Sequence, residues 1–277
     1  MLHPFAVLSL FLMVVLVGLS TPLSAERRIQ TVNFGVVPQQ SAQKLALKWQ
    51  PVFDALQASS GIQILFKTAP DIPEFERRLA EGEYDLAYMN PYHFTVFNLE
   101  PGYQAMVRAA DREIKGIIVV ARDSSIQQLS DLSGLTLAFP APAAFAASML
   151  PRAYLANENI MIATKYVQTH DSVYLTVARG LYAAGGGVMR TFASMPDNVK
   201  AQLRILWTTP GYTPHAIANH PRLSGQVRFR LTQALLHLDQ TPEGRLALQG
   251  LKINGFTPAE DADWDDVRAL KIGLLGG

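Results

Sequence analysis

Tyr84-Asp85-Leu86-Ala87-Tyr88-Met89-Asn90-Pro91-Tyr92-His93 carries two structural signals in one short stretch. Residues 84–89 are apolar apart from Asp85 and read as a strand buried on both faces. Asn90-Pro91 ends that strand. Asparagine caps helices and proline suits a first helical turn, so residues 91–99 are expected to be helical. A buried strand passing directly into a helix is the repeating unit of layered α/β proteins. Upstream, Thr31-Val32-Asn33-Phe34-Gly35-Val36-Val37 reads as a strand that stops at Pro38. Leu45, Trp49, Val52, Phe53 and Leu56 then follow at helical spacing, with Pro51 expected to interrupt them. Residues 62–67 form a second strand. Residues 73–80 form a short helix that opens on proline and ends before Gly82.

Downstream the pattern restarts at Gly116. Strands are expected at 117–121 and 136–139, then a helix over 142–157 that Pro151 kinks or breaks. Short strands at 166–167, 186–188 and 204–207, a helix at 172–179 and a strongly periodic helix at 223–238 complete the set. Two consecutive βαβ sets, joined near 108–116 and again near 208–216, imply two lobes with the second inserted into the first. Residues 26–112 and 213–277 would form lobe one, and residues 113–212 lobe two. A chain that crosses twice makes a hinge, and the cleft between lobes is where ligands sit.

Composition narrows the setting. The first 25 residues contain no Lys, Arg, Asp or Glu, and residues 5–19 are almost wholly apolar. That run is too short to span a ~30 Å hydrocarbon core comfortably, so residues 1–25 read as a signal peptide with Ser24-Ala25 at its cleavage point. An uncleaved N-terminal anchor is the alternative, and either way the rest of the chain is placed in the periplasm. The protein has no cysteine, which removes thiol catalysis and cysteine-type zinc sites. A net charge of +1 leaves no electrostatic footprint for nucleic acid.

Several stretches together resemble the phosphate/phosphite/phosphonate-type solute-binding proteins of ABC importers. They are Phe34-Gly35-Val36-Val37-Pro38, Trp49-Gln50-Pro51, the opening stretch from Tyr84 to Tyr92, and Asp131-Leu132-Ser133-Gly134. Ala138-Phe139-Pro140 through Pro151-Arg152, His170-Asp171 and Val177-Ala178-Arg179-Gly180 complete the series. The resemblance implies a two-lobed α/β type II periplasmic-binding-protein fold, each lobe a mixed, mostly parallel sheet flanked by helices. It also implies a small anionic, phosphonate- or phosphate-like ligand and an ABC permease as membrane partner. Two departures stand out. Where relatives carry Ser-Thr-Ser-Gly at the start of the ligand helix, this chain has Ala144-Phe145-Ala146-Ala147. Where they often carry Gly-x-x-Asp-Ala, it has Gly180-Leu181-Tyr182-Ala183-Ala184.

The candidate ligand-binding residues each have a second reading. Gln39 and Gln40 lie between a strand and a helix, where free N–H groups favour anions, but Ser41 there could simply cap the helix. Asn90, Tyr92 and His93 stand at the carboxyl end of a strand, where open α/β sheets bind ligands; Tyr92 could instead be a surface aromatic. Phe145 either stacks on a ligand or fills space that an anion has vacated. His170 and Asp171 line the cleft or form a capping cluster. Arg190, just past Gly185-Gly186-Gly187, offers bidentate contacts to a carboxylate or phosphoryl group, or lies on the surface. Tyr212 and Thr213 are weaker candidates. No nucleophile elbow, P-loop or metal-binding histidine spacing is present, so no enzymatic activity, metal or cofactor is expected. The expected protein is a monomeric solute-binding component of an importer. The alternatives are the same fold reporting to a receptor kinase, or an enzyme on this scaffold.

Overall fold

A computed structural model describes residues 30–110 and 112–272. The expected signal peptide lies outside the described residues. Eleven described strands divide between two sheets. The first sheet contains β1 (Thr31–Val36), β2 (Gln63–Lys67), β3 (Leu86–Met89) and β4 (Gln104–Ala109). The second contains β5 (Gly116–Ala121), β6 (Thr136–Phe139), β7 (Ala163–Tyr166), β8 (Ala184–Val188) and β9 (Leu203–Thr208). The chain then returns to the first sheet with β10 (Ala216–Asn219) and β11 (Phe256–Pro258). Strand order is β11-β4-β10-β3-β1-β2 in one sheet and β7-β6-β8-β5-β9 in the other.

Both sheets are mixed, but parallel pairing is less extensive than expected. It is confined to β2-β1-β3 and β7-β6-β8, while β10, β4, β11, β5 and β9 pair antiparallel. A parallel neighbour needs a crossover helix on the sheet face. The two segments that cross between sheets, from β4 to β5 and from β9 to β10, have no such helix. They run alongside each other instead and are joined by backbone hydrogen bonds between Ile114 and Tyr212 of 2.8 and 3.1 Å.

Three local features differ from the sequence reading. Pro51 does not break its helix, which runs unbroken over Ala42–Ser60. The residue whose carbonyl loses its donor, Leu47, lies on the exposed face of the helix, where the lost bond costs least. Second, β4 and β10 fall at the edges of what the sequence suggests are linkers. Third, the segment before Pro151 opens with a wide π-helical turn at Phe145–Met149 and becomes an α-helix over Leu150–Asn157. Proline at 151 has no N–H to return to Ala147, while the Leu150 N–H bonds the Phe145 carbonyl five residues back.

The core of the first sheet extends across the boundary between sheets. Ala141, Ala143 to Ala147, Met149, Leu150 and Val188 belong to the same apolar cluster as Phe34, Trp49 and Tyr88. The wide turn therefore packs as part of the first lobe's core as well as against its own sheet. Its carbonyls approach the second sheet so closely that a Cβ on Gly116 would sit 2.0 Å from the Ala146 oxygen. One on Gly186 would sit 2.0 Å from that of Ala147. Only glycine tolerates these approaches.

Candidate binding site between the sheets

The polar groups at the boundary come from five separate segments. After β1 the chain turns through Gln39 and Gln40 into the helix Ala42–Ser60, whose first turn is capped by Ser41 accepting from the Lys44 N–H at 3.4 Å. Ser41 thus does the capping, and the two glutamines are left to reach across the boundary. Both are buried. Gln40 Nε2 donates to Asp171 Oδ1 at 3.0 Å, and Lys48 Nζ donates to Gln40 Oε1 at 2.7 Å. Lys44 Nζ sits 2.5 Å from Asp171 Oδ2. The Gln39 carbonyl accepts the N–H of His170 at 3.1 Å. His170 and Asp171 open a helix over His170–Ala178 that is capped by Thr169, so both stay available at its start.

Arg190 lies just past β8, half-buried. Its Nη2 donates to Gln39 Oε1 at 3.0 Å, its Nη1 reaches the Leu251 carbonyl at 3.4 Å, and its guanidinium carbon lies 5.7 Å from the Tyr88 ring centre. Both acceptors are neutral. Gln39 Nε2 lies 3.0 Å from His215 Nε2, and His215 stacks on Tyr88 at 4.8 Å and 14°. Because Gln39 Oε1 is committed to Arg190, its amide nitrogen must be the donor to His215. That pairing leaves His215 Nε2 as acceptor and the ring proton on Nδ1.

Electrostatics follow from burial. Desolvation pushes His170 down to about 4, with Asp171 opposing the shift and Arg190 adding to it. Desolvation likewise pushes His215 well below the ordinary histidine value, and Arg190 adds to the effect. Lys48 is lowered by burial and then by the Arg190 charge, while burial raises the Tyr88 phenol. Near neutrality the cluster therefore holds neutral imidazoles beside Arg190, Lys44 and Lys48, with Asp171 as the carboxylate among them.

Phe145 is almost fully buried and meets Tyr212 edge-on at 5.6 Å. It lines a tight gap with Gln39, Asn90, Ile114, Ala147 and His170, where little free volume remains. Asn90 caps the helix Pro91–Phe97 through the His93 N–H at 2.8 Å and donates across the boundary to the Ala143 carbonyl at 3.2 Å. Ser148 Oγ, the one hydroxyl within the turn, is buried without a partner among the described residues.

Gln39, Gln40, Asn90, Phe145, His170, Asp171 and Arg190 are thus brought together. Tyr92 and His93 are not part of that group. Tyr92 is buried beside a groove lined by Pro73, Glu76 and Leu99. His93 is fully buried with Nε2 3.0 Å from Glu76 Oε1. The helix they open turns these side chains toward the neighbouring helix Ile72–Ala80. Tyr212 belongs to the boundary through Phe145, whereas Thr213 bonds Asp266 and the Asp263 carbonyl. Lys44, Lys48, Tyr88 and His215 join the cluster unannounced by any motif. For the two lysines a signal exists, since positions 44 and 48 share one helix face just after Gln40. His215 has none, because only the fold brings it to Gln39.

Residues 34–264 match the family model described as "ABC transporter, phosphonate, periplasmic substrate-binding protein". Among curated proteins, the Escherichia coli phosphonates-binding periplasmic protein is 23% identical, covering 92% of this chain and 80% of its own length. The Mycolicibacterium smegmatis phosphate-import protein PhnD is 22% identical, covering 88% and 86%. A Pseudomonas aeruginosa binding-protein component of an ABC phosphonate transporter superposes with a TM-score of 0.81 at 18% identity, over 87% of this chain and 85% of that one. Prochlorococcus marinus PhnD1, solved with methylphosphonate, gives 0.79 at 16% identity, over 87% and 97%. The type II periplasmic-binding-protein fold expected from the sequence is the fold observed, and this chain belongs to the family of periplasmic substrate-binding proteins of ABC phosphonate transporters.

Proposed function

We propose that this protein captures a small anion between its two lobes and hands it to an inner-membrane permease. The observation that carries this reading is Arg190. It is a half-buried guanidinium at the boundary between sheets whose hydrogen bonds go to neutral acceptors, the Gln39 amide and the Leu251 carbonyl. A guanidinium without a carboxylate, in a partly desolvated site, favours an incoming oxyanion with planar bidentate geometry. Lys48, lowered by burial and then by the Arg190 charge, adds a second cation that an anion would relieve.

Gln39, Gln40, His170, Asp171 and Arg190 would form the polar seam along which the lobes close on the ligand, with Asn90 and Phe145 behind it and Arg190 the cation that meets the anion. The hinge would be the paired crossing segments, with lobe limits at residues 26–112 plus 213–277 and 113–212. Binding energy then drives closure, because the ligand contacts both lobes only in the closed form. The relatives named for phosphonate and phosphate support an oxyanion. Ala144 to Ala147, where the family resemblance implies Ser-Thr-Ser-Gly, argue for an anion held without those hydroxyls. The protein would act in the periplasm as a monomer, led there by residues 1–25, and without chemical turnover.

A thermal-shift screen with phosphate, methylphosphonate and small carboxylic acids tests this. A ligand at a hundred times its dissociation constant stabilises by about 2.7 kcal/mol, well within detection. At least one of these anions should raise the melting temperature. A flat response across the panel would contradict the reading.

A further inference from the structure

Ile114 and Val188 stand between two spaces at the boundary. On one side is the tight gap filled by Phe145. On the other, beside the crossing segments, a cavity of about 230 Å³ is bordered by Tyr88, Arg190, His215 and Lys252. We propose that this hinge-side cavity is the ligand subsite, and that it takes a compact organic anion: one carboxylate or similar oxyanion head on a short apolar body. The inference rests on the reading of the protein as an anion-binding solute receptor.

Three observations support it. The first concerns hydrogen-bond donors. Gln39 uses its oxygen on Arg190 and its nitrogen on His215 Nε2, which places the His215 proton on Nδ1. The hydrogen bond made by the ring is the one to Gln39, which leaves that N–H without an acceptor among the described residues. His215 is buried but borders the cavity, so a ligand there is the acceptor this N–H can reach. One glutamine thus aligns a neutral donor and a cation on the same space.

The second is charge. Arg112, Lys115, Arg190 and Lys252 border the cavity against a single carboxylate, Glu113, which already lies 3.4 Å from Lys115. An anion is the complementary occupant.

The third is the remaining wall. Ile114, Val188, Met189, Pro214 and Ile253 are apolar and complete the lining between those donors. A bare phosphate would leave them uncovered, whereas a hydrocarbon body gains from burial at roughly 25 cal/mol per Å². The volume lies below the ~300 Å³ at which pockets for drug-sized ligands begin, which limits the body to a few carbons or one ring. Val188 and Ile114 belong to both spaces, so Phe145 and its gap form the back of the same wall.

Calorimetric titration with pentanoate, benzoate and methylphosphonate, on the full-length mature protein, separates the possibilities. Pentanoate or benzoate should bind at least ten-fold more tightly than methylphosphonate. His215→Phe keeps the stack on Tyr88 but removes the N–H, and should weaken that binding at least ten-fold. Ala193 is exposed at the cavity's rim, so Ala193→Trp should block binding while thermal unfolding stays unchanged. This second variant guards against a His215→Phe protein that misfolds. Methylphosphonate binding more tightly than either acid, and unaffected by Ala193→Trp, would overturn the hinge-side subsite while leaving the anion receptor intact. No binding by any of the three would overturn the subsite, and a flat response to phosphate as well would overturn the anion receptor.

Discussion

Gln39 shows how much one side chain can determine at this site. Its amide has two ends, and each is assigned: oxygen to Arg190, nitrogen to His215. A protonated His215 would turn Nε2 into a donor facing the Gln39 donor, so the network holds only with the ring neutral. Burial already keeps it so, and keeps His170 neutral down to about 4. The pH consequence has a definite sign. Both histidines have folded values below the ordinary 6.5, so between about 4 and 6.5 the unfolded chain binds more protons than the folded one. Their stabilising contribution is complete above 6.5 and is lost as pH falls toward 4. Urea unfolding midpoints should therefore be level between pH 7 and 8 and drop clearly by pH 5. A midpoint that rises on acidification would contradict buried neutral histidines.

At the scale of the element, the wide turn at Phe145–Met149 is where the proposed reading expects anions to be admitted or excluded. Its leading N–H groups are those a helix start leaves without internal partners, and in principle they suit an anion. Phe145 covers the approach and ties the turn into the first lobe's core. Phe145→Ser should uncover it. The variant is expected to lose about 3–5 kcal/mol of stability, the usual cost of deleting a buried phenyl ring. Methylphosphonate affinity should nonetheless rise at least ten-fold, read by calorimetry at a temperature where the variant is folded. An unchanged affinity would show that the turn's N–H groups cannot reach a ligand.

The elements were legible in the sequence where burial or punctuation was strong. The opening stretch at 84–93 gave a buried strand and a capped helix, and both are present. β4 and β10 were not legible. The first mixes Gln104 and Arg108 with apolar residues, and the second is only Ala216–Asn219, too short to show a period. The wide turn was also hidden, since Pro151 announces a break but not its form. The site was partly legible for the same kind of reason. Gln39 and His215 are 176 residues apart, and what joins them is the return of the chain through the second crossing. His93 read as a cleft residue because it follows a strand end, but its helix turns it toward Glu76.

For the whole molecule, the two sheets meet through a polar rim, an apolar turn and a pair of crossing strands. The rim contacts are modest in strength. Lys44 is about half exposed, so its pair with Asp171 contributes at most about 1 kcal/mol. Such contacts can hold the lobes together without locking them, which suits a receptor that must open to load and release. The account turns on Arg190 as the cation that an incoming anion neutralises. Its most direct test is the calorimetric affinity of the wild-type protein and Arg190→Gln for the tightest-binding anion of the panel. The account predicts at least a ten-fold weaker affinity in the variant, with its thermal unfolding little changed in the absence of ligand. Equal affinities for the two proteins would contradict it.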